Sequence, residues 1–103
     1  MKRALIIAGI TACCLSTPAF GDGRKTARKA LCTAYCHAVD KKVLGPAFKD
    51  VAAKYKGDKG AESRLLKKIR TGGSGVWGAM PMPPQEKPSD EEIKEIVEWI
   101  IGL

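Results

Sequence analysis

Apolar residues recur at helical spacing in four stretches of this 103-residue chain, and nowhere do they alternate for long enough to make a useful strand. Ala27, Ala30, Leu31 and Ala34 predict a helix from Lys25 to about Tyr35. Ala47 to Tyr55 predicts a second, stopped at Gly57. Leu65, Leu66 and Ile69 predict a third over Ala61 to Arg70, which Thr71-Gly72-Gly73 ends. The fourth pattern is the clearest: Ile93, Ile96, Val97, Ile100 and Ile101 share one face, and Ser89 with Glu92 forms a capping box before them. Between Gly72 and Pro88 the density of Gly and Pro forbids continuous secondary structure. The chain therefore reads as all-α with about four short helices.

Its beginning follows a different rule. Met1-Lys2-Arg3 is basic, Ala4 to Leu15 is largely apolar, and Ser16-Thr17-Pro18-Ala19 supplies small residues. That is the layout of a secretory signal peptide. The expected division is a leader over residues 1–21 and a domain over 22–103. The apolar run is short of the roughly 20 residues a membrane helix needs, so no stable membrane insertion is expected. Ile10-Thr11-Ala12-Cys13 resembles a lipoprotein processing box, which makes a lipid anchor at Cys13 an alternative fate of the same segment.

Without residues 1–21 the chain carries 16 basic and 11 acidic side chains, unevenly placed: net +9 over residues 22–70 and −4 over 71–103. A basic face steers acidic partners. With few aromatics and no nucleic-acid motif, it gives no reason to expect DNA or RNA. Two cysteines remain, and about eighty residues make a small core, a size at which a metal, a disulfide or a cofactor commonly adds stability.

The cysteines occur as Cys32-Thr33-Ala34-Tyr35-Cys36-His37. Two thiols followed at once by an imidazole can fix haem through thioethers and ligate its iron, although the usual form is C-x-x-C-H and here three residues separate the cysteines. On an α-helix a separation of three turns about −60° and of four about +40°, so either keeps both sulfurs on one face. The extra residue then requires a bulge or a looser turn. A Cys32–Cys36 disulfide and a zinc site short of two ligands are the competing readings. Downstream, Gly78-Ala79-Met80-Pro81-Met82-Pro83-Pro84 offers thioethers in a proline-stiffened loop. Such a soft, neutral donor suits haem iron, and packing is its ordinary alternative.

Together, Cys36-His37-Ala38-Val39-Asp40, Gly45-Pro46-Ala47-Phe48-Lys49-Asp50-Val51-Ala52-Ala53-Lys54-Tyr55, Gly75-Val76-Trp77-Gly78 and Pro81-Met82-Pro83-Pro84 resemble the small class I bacterial cytochromes c of the c-551/c-552 type, in order and spacing. The resemblance implies a class I cytochrome c fold around one covalent haem c, with Cys32 and Cys36 attaching it and His37 and Met82, rather than Met80, as axial ligands. It further implies that Pro46 accepts a hydrogen bond from the His37 ring, that Trp77 donates to a haem propionate, and that Lys68 or Arg70 places a cation there. The implied role is a periplasmic one-electron carrier, not an enzyme. It would be a monomer working with a cytochrome bc-type donor and a periplasmic reductase, peroxidase or oxidase, meeting acidic surfaces through lysines such as Lys41 and Lys42. A haem-based ligand sensor or peroxidase-like enzyme, in which Met82 dissociates, is the alternative.

Overall fold

The structure, a computed structural model, describes residue 9 and residues 22–103. Apart from Gly9, the leader expected over residues 1–21 lies outside the described residues, and so does Cys13. The described chain has four α-helices: α1 (Gly23–Lys29), α2 (Phe48–Tyr55), α3 (Ala61–Thr71) and α4 (Asp90–Ile101). The pairing between Gly73 and Met82 is an isolated antiparallel bridge.

The fourth helix organises the rest. Ser89 Oγ accepts from the Glu92 amide at 3.1 Å, and Asp90, Glu91 and Glu92 put negative charge at the positive end of the helix. Its inward face, Ile93, Ile96, Val97 and Ile100, is buried, at about 1.5–3 kcal/mol per side chain relative to exposure. Ile101, expected on that face, is exposed instead, although Ile100 beside it is buried. Helices α1, α2 and α3 all pack on α4. They contribute Ala27, Phe48, Val51, Leu65 and Ile69 to one core, while Leu66 is only half-buried against it.

Helix α1 differs from the expectation. It starts at the Asp22 cap, whose carboxylate accepts from the Lys25 amide at 3.2 Å, but it stops at Lys29 rather than running to Tyr35. Leu31 sits at φ 61°, in the left-handed region, where the α ladder cannot continue. The next five residues, Cys32–Cys36, form a π-helical turn. Leu31 and Ala34, expected inward, are consequently exposed.

The Gly- and Pro-rich segment from Gly72 to Pro88 is held to this frame by specific bonds. Arg70 donates to the carbonyls of Gln85 (2.9 Å), Glu86 (3.2 Å) and Pro88 (2.9 Å) and pairs with Asp90 at 2.6 Å. The Gln85 amide donates to Ile69 O at 3.0 Å. Charge-assisted bonds shielded from water contribute about 1.5–3 kcal/mol each and exposed ion pairs such as that to Asp90 about 0–1, so one arginine ties the end of α3 to the start of α4 across the loop.

Candidate functional site

Between the π turn on one side and the Gly72–Pro88 segment on the other lies a cleft of about 1080 Å³. That is at the large end of the range for small-molecule and cofactor sites, roughly 300–1,000 Å³. Seven residues singled out from the sequence line it, Cys32, Cys36, His37, Pro46, Lys68, Trp77 and Met82, and Arg70 does not.

His37 is the most constrained of them. Its Nδ1 lies 2.8 Å from Pro46 O. A carbonyl can only accept, so Nδ1 carries the proton and Nε2 is the free lone pair, without a hydrogen-bond partner among the described residues. The ring stacks on Phe48, with centroids 4.8 Å apart and planes 19° from parallel. Behind it is Gly45, where a Cβ would come within 2.8 Å of His37 Nδ1. The Gly45 amide in turn donates to Cys36 O at 2.7 Å. Gly45, Pro46 and Phe48 thus fix the height, tautomer and plane of the imidazole. Phe48 was readable only as a core residue of α2, and its position two residues after Pro46 is the one sequence signal for its second role.

Met82 is held from the backbone. Its amide donates to Gly73 O at 2.8 Å and its carbonyl accepts from the Gly73 amide at 3.0 Å, which anchors the loop to the end of α3. Its side chain is half-buried and packs against the core, whereas Met80 is 61% exposed. The importance of Gly73 is invisible in a sequence where Gly is common.

Cys32 and Cys36 are half-buried free thiols. Burial first, then the neighbouring Cys36, push the Cys32 thiol up, against a smaller opposing effect of a backbone hydrogen bond. No group of three or more His, Cys, Asp or Glu side chains converges among the described residues, so the zinc reading finds no ligand set there. Of the two cations considered for a propionate, Arg70 is already engaged by the loop carbonyls and Asp90. Lys68 lines the cleft. Trp77 makes no hydrogen bond among the described residues, and the Lys54 ammonium stands 5.6 Å from its ring centroid.

These features fit a haem. Leu31, Tyr35, Leu44, Val76, Trp77 and Met80 all line the cleft and are 40–72% exposed, a broad apolar rim that a large flat apolar body would cover. Inside the rim are two thiols, one imidazole nitrogen free to donate, and one thioether, the donor set of a covalent haem with two axial ligands.

Known proteins carry the same pattern. Residues 18–100 match the family described as cytochrome C oxidase, cbb3-type, subunit III. The chain is 51% identical over 77 residues to cytochrome c-551 of Allochromatium vinosum, covering 75% of this chain and 81% of that protein. With cytochrome c-552 of Hydrogenobacter thermophilus it shares 42% identity over 103 residues, 100% of this chain and 99% of the relative. The crystal structure of wild-type Nitrosomonas europaea cytochrome c552 superposes with a TM-score of 0.74 at 48% identity, over 78% of this chain and 98% of that one. Among the described residues no helix is long and apolar enough to cross a membrane. With sequence and fold alike in agreement with these relatives, the chain belongs to the small class I bacterial cytochromes c of the c-551/c-552 type, electron carriers with a single covalent haem c.

Proposed function

We propose that the chain is a periplasmic carrier whose iron is held by His37 Nε2 and Met82 Sδ, exported by a leader over residues 1–21 and working as a monomer. The observation that carries the ligand reading is the His37–Pro46 bond at 2.8 Å, which leaves a single nitrogen to donate toward the cleft. Haem supplies a one-electron couple, iron cycling between ferric and ferrous forms. The residues do the rest. Pro46 orients the imidazole and strengthens it as a donor, and Phe48 holds its plane. The Gly73 bridge keeps Met82 in place, where a thioether favours the reduced metal. Lys68 offers a cation, and Trp77 an indole N–H, to the carboxylates of the group.

With His37 and Met82 both holding the iron, no position would be left on it for a substrate. The backbone bonds at Met82 favour this reading over a sensor or peroxidase-like enzyme, which needs that residue to leave.

Lys29 and Lys42 line the cleft, and Lys41 and Lys42 are exposed. They fit docking to acidic surfaces on a cytochrome bc-type donor and on a periplasmic reductase, peroxidase or oxidase. Electron transfer from the holoprotein to an acidic redox protein should therefore slow as added salt shortens screening from roughly 30 to 10 Å. Reversing Lys41 and Lys42 to Glu should lower the bimolecular rate and leave the potential nearly unchanged. A salt-independent rate would contradict steering, and a holoprotein that passes no electrons would contradict the carrier reading itself.

A further inference from the structure

We infer that the fold treats Cys32–His37 as a C-x-x-C-H turn with one residue added inside it, so that both thiols form thioethers. The inference rests on the covalent-haem reading above.

In C-x-x-C-H the histidine stands four residues after the first cysteine, and an α-helical hydrogen bond would join its amide to that cysteine's carbonyl. Here His37 stands five after Cys32, and the same two groups are still joined: the His37 amide donates to Cys32 O at 3.0 Å. The π turn makes this possible, since its bonds span i to i+5. An α turn closes with 3.6 residues, and closing one residue later takes more than four. Cys32 and Cys36, four apart, therefore fall short of one full turn, just as cysteines three apart do in an α turn. The added residue is absorbed inside the ring while its two ends keep their relation. Beyond the turn, His37 still meets Pro46 and Phe48.

Thr33 is half-buried between the cysteines and Ala34 and Tyr35 are exposed, so none of the three intervening side chains is committed to the core and one more among them displaces nothing there. Leu31, left-handed at φ 61°, separates the turn from α1.

The chemistry balances without an oxidant or reductant. Each Cys S–H adds across one haem vinyl group: a C–S bond forms, the thiol hydrogen passes to the other vinyl carbon, and the double bond becomes single. The protein gains the whole mass of the haem and loses both thiols.

The test is a thiol count on the purified holoprotein. After denaturation, reduction, N-ethylmaleimide treatment and proteolysis, the peptide containing Cys32 and Cys36 should carry one haem and no maleimide. One haem with one maleimide on either cysteine overturns the inference and leaves the covalent-haem reading intact. A haem-free peptide with two maleimides overturns both. Deleting Tyr35, which restores the C-x-x-C-H spacing, should give a holoprotein with the same haem stoichiometry, no free thiol in that peptide and an unchanged pyridine haemochrome band. A deletion variant that exposes a thiol or loses its haem, while Tyr35→Ala remains intact, would overturn the equivalence of the two turns.

Discussion

Replacing Met82 with Ala should lower the reduction potential of the holoprotein by several tens of millivolts or more, and should let carbon monoxide bind the reduced protein within mixing time. For a one-electron couple each ~59 mV is a tenfold change in equilibrium, so a shift of this size means that the thioether contributes on the order of a kcal/mol or more to preference for the reduced state. The direction follows from the donor: neutral sulfur favours ferrous iron, and removing it leaves a more easily oxidised metal with an open position. Met80→Ala is the control, because Met80 is largely exposed and its side chain is not among those packed against the core. It should change neither property beyond a small loss of stability. If the Met80 variant shows the large effect and the Met82 variant the small one, the ligand assignment is reversed.

A comparably large effect, on stability this time, is expected at Gly72. This residue caps α3 at φ 67° and ψ −161°, a region open essentially to glycine alone. A Cβ there would collide with the Met82 carbonyl oxygen and come within 2.8 Å of Pro84 N, both backbone atoms that cannot swing aside. Gly72→Ala should therefore cost about 3 kcal/mol, equivalent to a fall in Tm of about 10–20 °C in a domain this small. The collision falls on the bridge that places Met82, so the substitution should also weaken the iron–sulfur bond and admit external ligands to the reduced protein. Thermal unfolding followed by circular dichroism, with carbon monoxide binding measured below the transition, checks both halves. A variant as stable as the parent would mean that the bridge between Gly73 and Met82 is not what holds the loop.

The two regions differ in how far their sequence reveals them. Helices α2, α3 and α4 were legible because their apolar positions repeat at 3.6-residue spacing and their ends carry a proline or glycine, or a serine cap. The bounds of α2 and α3 each differ from the sequence expectation by one residue, and α4 starts at the expected serine cap. The π turn was not legible as such. Ala27, Ala30, Leu31 and Ala34 keep helical spacing through a point where the backbone in fact reverses hand, and periodicity carries no information about a single left-handed residue. What could be read was the consequence: a third residue between the cysteines demands extra backbone, and the turn supplies it.

The cleft shows the same split. Its chemically distinctive members, the thiols, imidazole, thioethers and indole, stand out by type and by their resemblance to a family pattern. The parts that orient them do not. Phe48 looks like any core aromatic until it is found stacked on His37, and Gly73 looks like half of a helix stop until its two hydrogen bonds to Met82 appear. Arg70 was the alternative to Lys68 as a cation for the cofactor, because sequence cannot show that three loop carbonyls and one carboxylate already occupy it.

The central claim is covalent attachment of one haem in this cleft, and acidified organic extraction of the denatured holoprotein tests it most directly. The colour should stay with the polypeptide, at one haem per chain by pyridine haemochrome. If the colour passes entirely into the organic layer and leaves a chain with both Cys32 and Cys36 free, the claim is wrong.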